Sequence, residues 1–245
     1  VNKVAQVTVA FWVMKICATT LGETAGDLFS MTLGAGYAVS SIALLAVFGA
    51  ALALQMRART FHPALYWTVV LLTSTAGTTM SDFMDRSLGL GYTLGSSLLF
   101  ACLVVVLAAW RMTEKSLSVS RIESRRAEAF YWAAILCSNT LGTALGDFLA
   151  HDSGLGFFGS ATLIGGLLAA VLAAYLFTSA NRVALFWAAF VLTRPFGATF
   201  GDLLTKPTDD GGFDFGTIGS SAVLGAVLVA LVGYASWKHS ATTAA

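Results

Sequence analysis

The stretch Thr19-Thr20-Leu21-Gly22-Glu23-Thr24-Ala25-Gly26-Asp27 sets two small residues four apart and a carboxylate directly after the second, inside an otherwise apolar run. The same string, Gly-x-x-x-small-Asp, returns as Gly77…Ser81-Asp82, Gly142…Gly146-Asp147 and Gly197…Gly201-Asp202. In every copy a tryptophan stands 15 residues before the aspartate, as Trp12, Trp67, Trp132 and Trp187. Three copies continue into Gly-x-Gly-aromatic: Gly34-Ala35-Gly36-Tyr37, Gly89-Leu90-Gly91-Tyr92 and Gly154-Leu155-Gly156-Phe157. The fourth has a longer loop over 206–216 in that place. Four matches at fixed internal spacing mark a repeat architecture.

The aspartates are 55, 65 and 55 residues apart, and a polar insertion over 111–128 accounts for the longer middle step. Copies 1 and 3 share Cys-x-x-Thr-Leu-Gly, at Cys17 and Cys137, whereas copies 2 and 4 share Ala-Leu-aromatic-Trp, at Ala64 and Ala184. Copies 2 and 4 also place a base four residues after the aspartate, Arg86 and Lys206. Duplication of a unit, then of the pair, explains this pattern. It predicts a first half over 1–110, a cytosolic linker over 111–128 and a second half over 129–245, all within one membrane domain.

Composition gives the environment. Of 245 residues 57% are hydrophobic and 11% charged, against about 25% charged in a soluble domain. Mean hydropathy is +0.77. Such a chain is neither disordered nor a basic nucleic-acid binder. Each copy holds two apolar stretches of roughly 20 residues, enough to cross a bilayer. They are expected near 4–28, 37–55, 64–84, 92–110, 129–149, 157–178, 183–204 and 217–237. The expected fold is thus an all-α integral membrane protein, with eight transmembrane helices from four parallel two-helix repeats in two pseudo-symmetric halves. No short apolar leader with a cleavage site precedes the first stretch, so no removable signal peptide is expected.

Basic residues orient the spans. Lys3, Arg57, Arg59, Arg111, Lys115, Arg121, Arg125, Arg126, Arg182 and Lys238 fall on the side of the termini, and only Arg86 and Lys206 on the other. Ten against two places both termini in the cytoplasm. The repeated tryptophans then sit near the cytosolic interface, where an aromatic belt is the ordinary reading.

The aspartates are the chemically telling residues. Fifteen residues of helix rise about 22 Å, so each aspartate lies toward the external end of its span. A carboxylate at membrane depth costs roughly 2.5–3.5 kcal/mol and normally faces a bundle interior or water. Four and seven residues before each aspartate come Glu23 and Thr20, Thr78 and Thr75, Thr143 and Thr140, then Ala198 and Pro195. Eight before come Thr19, Ser74, Asn139 and Arg194. Four polar stripes could line a shared central cavity. The copies differ, since only the first carries Glu23 and only the fourth Arg194-Pro195. Glu23, Asp27, Asp82, Asp147 and Asp202 are five acids within spans, against the bases Lys15 and Arg194. That excess favours a cation or protons, and carboxylates with hydroxyls suit hard or borderline divalent ions. A purely structural reading stands beside it: the aspartates could cap the next turn or pair with Arg86, Lys206 or Arg194.

Other features exclude more than they suggest. No nucleotide loop, nucleophile–base pattern or zinc-protease string occurs, so no enzyme is expected. Cys17, Cys102 and Cys137 lie in apolar runs and read as packing residues rather than a disulfide framework. His62, His151 and His239 are scattered. The linker's five bases and three acids read as a solvated connector in reach of anionic lipid.

The aromatic-Trp, Thr-Leu-Gly-x-x-x-Gly-Asp and Leu-Gly-x-Gly-Tyr strings resemble a bacterial family of uncharacterised membrane-anchored proteins built from four tandem two-span repeats, each with a characteristic tryptophan. The resemblance covers essentially the whole chain and implies the bacterial inner membrane. The string Glu23-x-x-Gly26-Asp27 is similar to short acidic motifs of manganese and calcium exchangers.

The expectation is a multi-pass secondary transporter, a proton-coupled exporter of a cation or manganese-like divalent metal. Its ligands or proton carriers would be Glu23, Asp27, Asp82, Asp147 and Asp202, with neutral oxygens from Thr20, Thr75, Thr78, Asn139, Thr140 and Thr143. Lys15 and Arg194 would act as counter-ions. No cofactor is expected beyond a bound divalent cation, and no partner beyond lipid, the cation or protons, and a second copy of the chain. The alternative is a non-transporting sensor or assembly subunit that binds a ligand or partner in the same cavity.

Overall fold

A computed structural model describes residues 4–119, 122 and 124–244, with side chains to 240. Lys3 and Arg121, two of the ten bases used for orientation, lie outside the described residues. Among the described residues the chain is all α, with helices α1 Val9–Asp27, α2 Tyr37–Arg57, α3 Pro63–Asp82, α4 Gly91–Glu114, α5 Arg125–Asp147, α6 Gly156–Phe177, α7 Arg182–Thr205 and α8 Thr217–Ala244. Thr8, Ser124 and Asn181 cap α1, α5 and α7 with side-chain oxygens, and Pro63 opens α3. Six helices are long and apolar enough to cross a membrane: α2, α4, α5 with its following turn, α6, α7 and α8. Helices α1 and α3 are not among them. Their polar residues, such as Lys15 and Glu23 on α1 and Ser74 and Thr78 on α3, are buried inside the protein instead.

The odd-numbered helices form the centre. Helix α1 packs on α3, α3 on α5, α5 on α7 and α7 back on α1, closing a ring. Each even-numbered helix lies outside and leans on the odd helix that follows it: α2 on α3, α4 on α5, α6 on α7, and α8 on α1. The outer helices expose large apolar side chains such as Ile42, Phe100, Phe158 and Val229. Small residues let the inner ring close. A Cβ on Gly22 would fall 2.2 Å from Ser74 Oγ, one on Gly77 3.0 Å from the Thr140 nitrogen, and one on Gly142 2.2 Å from Arg194 Cγ. A Cβ on Gly197 would fall 2.5 Å from Thr19 Oγ1. In each case the glycine five residues before an aspartate receives the next helix of the ring.

The Gly-x-Gly string is a turn. Gly34 and Gly36 have φ of 71° and 77°, and both glycines of the next two copies are likewise left-handed. The fourth copy ends its longer loop the same way, with Asp214 at 56° and Gly216 at 69°. Asp214-Phe215-Gly216 is therefore the fourth version of the turn, disguised by a non-glycine first residue.

The aromatic belt expected at the tryptophans is not what the chain forms. Trp67, Trp132 and Trp187 are buried, packed edge-on against Tyr66, Tyr131 and Phe186, with Trp110 beside Tyr131 and Trp187. They form an aromatic core at one end of the ring rather than a lipid-facing belt. Only Trp237 is strongly exposed. Among the described residues of the 111–128 segment, Arg111, Lys115, Arg125 and Arg126 are exposed whereas Ile122 and Glu128 are buried. Helix α4 runs to Glu114 and α5 starts at Arg125, and between them Ile122 is buried in the main core while the Leu117 carbonyl accepts a hydrogen bond from Trp187 Nε1.

Candidate functional site

Each of the first three aspartates ends an α-helix and begins a π-helical turn, at Leu28–Thr32, Phe83–Ser87 and Phe148–Asp152. Such turns add a residue to the helical circuit and recur at functional sites. All four aspartates are buried, and two bases gather them into pairs. Arg86 reaches Asp82 on its own helix (Nε–Oδ1 3.1 Å) and Asp147 on α5 (Nη2–Oδ2 3.4 Å). Lys206 reaches Asp202 on its own helix (Nζ–Oδ1 3.2 Å) and Asp27 on α1 (Nζ–Oδ2 2.6 Å). Arg86 lies just past the end of α3 and Lys206 just past the end of α7. Burial works against each charge, yet the paired carboxylates outweigh it and hold both bases above their ordinary pKa.

One turn deeper, Glu23, Thr78 and Thr143 converge from three helices on the guanidinium of Arg194, which comes from the fourth. Arg194 donates to Glu23 Oε2 from Nη1 at 3.0 Å and from Nη2 at 2.9 Å. Its Nη2 also meets Thr78 Oγ1 at 2.5 Å and Thr143 Oγ1 at 2.6 Å. Arg194 is fully buried, and it occupies the space between the helices at this level. Ala198, at the position where the other copies have Glu23, Thr78 and Thr143, leaves room for it.

Deeper again, Lys15 Nζ donates to Asn139 Oδ1 at 3.3 Å and lies 4.3 Å from the Phe190 ring centroid. Asn139 in turn donates to Thr73 Oγ1 at 2.8 Å. Lys15 is fully buried with no ion-pair partner among the described residues. Below it the aromatic end closes, where Tyr66 and Tyr131 share a hydrogen bond of 2.6 Å.

The structure thus brings together Glu23, Asp27, Asp82, Asp147, Asp202, Thr78, Thr143 and Arg194, with Lys15 and Asn139 beneath them. It does not bring in Thr20, Thr75 and Thr140. Each of these returns its hydroxyl to its own helix, at Ile16, Leu71 and Leu136 respectively. The face that reaches the axis is the one four and eight residues before the aspartate, not four and seven. Arg86 and Lys206 join the site although they sit past the ends of α3 and α7. Their signal in the sequence is the i,i+4 step from an aspartate. With them the balance becomes five acids against four bases, Lys15, Arg86, Arg194 and Lys206, instead of five against two.

Three of the acids are close enough to share an ion. One oxygen from each of Glu23, Asp27 and Asp202 lies within 4.8 Å of the other two. All-oxygen donors of this kind match a hard cation, but Arg194 and Lys206 already engage them.

An all-α bundle of four tandem units around a shared buried charge network is the class these features define. Residues 10–61, 65–116, 130–181 and 185–240 match the Repeat of Unknown Function (DUF347), and the chain belongs to that family. No curated protein and no solved structure matches the chain.

Proposed function

We propose that the protein is a secondary transporter of the bacterial inner membrane that exchanges a cation, of the divalent manganese-like class, for protons. In this reading all eight helices span the bilayer as four parallel repeats in two pseudo-symmetric halves. Both termini are cytoplasmic, and the aspartate end of the ring faces outward. The polar α1 and α3 are held in the membrane by the six apolar helices and the ring they complete.

The convergence of Glu23, Asp27 and Asp202 carries the proposal, because three carboxylates from α1 and α7 meet with side-chain cations as partners. Arg194 and Lys206 stand where a mobile cation would be neutralised. A cation entering among these acids competes with both bases. A proton on Glu23 removes the charge that holds Arg194. Loading and protonation then exclude each other through one residue, which is the requirement for exchange.

The near-balance of five acids and four bases favours one other reading, a sensor or assembly subunit whose ion pairs hold the ring together. Proton-driven flux of manganese in vesicles, with expression matched, separates the two. Transport requires activity in the wild type, loss of its pH dependence in Glu23→Gln, and little change in Asp152→Asn. Wild-type flux in both Glu23→Gln and Arg194→Ala would leave only the structural role.

A further inference from the structure

The aromatic end of the bundle carries a second site, unrelated to the acids. Where α4 ends and α7 begins, a recess of about 390 Å³ opens beside Trp187. Arg111 and Lys115 line its polar side, and Leu107, Val183, Ala184 and Trp187 its apolar side; among the described residues no acid lines it. Arg111 is fixed by one bond, from Nη1 to the Lys115 carbonyl at 2.6 Å, which leaves most of its five N–H donors for a ligand. Lys115 ends α4 in a left-handed conformation with φ of 56°, and its ammonium has no partner among the described residues. The neighbouring Arg182 is turned away, donating to the Tyr175 and Thr178 carbonyls and stacked 4.3 Å over the Tyr175 ring. Trp187 is buried and pinned through Nε1 to the Leu117 carbonyl at 3.0 Å, so the apolar wall is fixed.

We infer that this recess holds the phosphodiester headgroup of an anionic phospholipid, with its glycerol and upper acyl chain against Leu107, Val183, Ala184 and Trp187. The inference rests on the membrane placement proposed above, but not on transport. A guanidinium matches phosphate oxygens in a two-point fork, and a free ammonium adds a point charge. Two bases with no acid among the lining residues select a net negative headgroup over a zwitterionic one. The apolar wall beside them selects an amphiphile over a small anion. Basic pockets between spans at the cytoplasmic boundary are the ordinary form of such sites. Occupancy would tie the end of α4 and the connector to the start of α7, joining the two halves of the chain at the end away from the acids.

The full chain, purified in detergent and stripped of lipid, would be titrated with phosphatidylglycerol, phosphatidylcholine or inorganic phosphate and read by native mass spectrometry. We expect one phosphatidylglycerol to be retained, phosphatidylcholine only weakly, and phosphate alone not at all. Arg111→Gln/Lys115→Gln should weaken retention about 30-fold, at the usual contribution of each base near an anionic surface. Arg57→Gln/Arg59→Gln removes two exposed bases at the same end outside the recess and should leave retention unchanged. Ala184→Trp fills the recess without altering charge and should also abolish retention. Equal retention by the two charge pairs, equal retention of the two lipids, or equally tight binding of phosphate alone would each overturn the site. Carbonate extraction of the chain from native membranes would instead overturn the membrane placement, so the two failures are distinguishable.

Discussion

Arg194 is the residue whose loss the protein should tolerate least. Replacement by alanine removes the two contacts to Glu23 at 2.9 and 3.0 Å and those to Thr78 and Thr143 at 2.5 and 2.6 Å. The space vacated lies among fully buried groups, so no solvent takes over the role of the guanidinium. Glu23, 3% exposed, is left as a buried carboxylate with only hydroxyl partners. Breaking one partner out of a buried ion pair destabilises by roughly 3–5 kcal/mol. At about 2–4 °C per kcal/mol for a chain of this size, the midpoint should fall by roughly 6–20 °C. Thermal unfolding of the detergent-solubilised protein measures it. The double variant Glu23→Gln/Arg194→Gln removes both charges and should recover most of the loss, since replacing both partners avoids the stranded charge. A fall below about 2 °C in Arg194→Ala, or a double variant no more stable than the single, would refute the idea that this pair is the electrostatic centre of the ring.

Three further outcomes follow from other parts of the structure. Gly142→Ala should lower the midpoint clearly, at a cost of about 1–3 kcal/mol for overpacking, because the new Cβ would lie 2.2 Å from Arg194 Cγ; Gly49→Ala on the outer α2, with nothing within 4 Å, should not. Asp85, in the turn after α3, has its carboxyl pushed up to about 6 by burial, with Asp152 adding to the rise and Ser81 and Arg86 opposing it. A raised value means the folded state holds the proton more tightly, so this contribution is greatest below about pH 4 and is lost as pH rises through about 6; Asp85→Asn should therefore gain stability over wild type at pH 7 but not at pH 4, and an equal difference at both would sink the assignment. Cysteines at Ser153 and Gly212 should react with an impermeant thiol reagent from outside, and one at Ser118 only after permeabilisation, with external labelling at Ser118 refuting the orientation.

The ring was legible in the sequence because its cause is periodic. Gly22 and Gly26, with their three counterparts, recur at one spacing, and close approach between neighbouring helices is the direct consequence. The breaks in symmetry were legible for the same reason: Glu23 and Arg194 stand out against their counterparts, and they meet. What failed was angular. Residues four and seven before an aspartate share a face on a helical wheel, but which edge of that face turns toward the axis depends on the neighbouring helix, and Thr20, Thr75 and Thr140 turned to their own carbonyls. The tryptophans failed differently. A buried aromatic core and an interfacial belt place tryptophan at the same depth, and only the partners Tyr66 and Tyr131 on the inner helices distinguish them. Asp214-Phe215-Gly216 escaped because an aspartate tolerates the left-handed conformation that the other copies give to glycine.

The distribution of charge around the ring carries a final consequence. Four equivalent seams could each have held an ion pair, yet the ion pairs that Arg86, Lys206 and Arg194 make between different helices join residues 1–110 to residues 129–245. Arg86 meets Asp147 across the α3–α5 seam, while Lys206 meets Asp27 and Arg194 meets Glu23 across the α7–α1 seam. Lys15 and Asn139 also pair across the ring, between α1 and α5. Glycine closes all four seams, but inside each half, at α1–α3 and α5–α7, the described residues add hydrogen bonds such as Thr78 to Glu23 and Arg194 to Thr143 rather than ion pairs, beside contacts such as Gly26 on Thr78 and Gly146 on Ala198. Dispersion contacts do not respond to a proton or an arriving cation, whereas ion pairs do. A change in the protonation of the five acids therefore acts on the ion pairs of the two seams between the halves, and within the halves it reaches the hydrogen bonds of Thr78 to Glu23 and of Arg194 to Thr143. Duplication of a two-copy unit would give that division its origin, and the placement of Arg86, Lys206 and Arg194 gives it a physical lever.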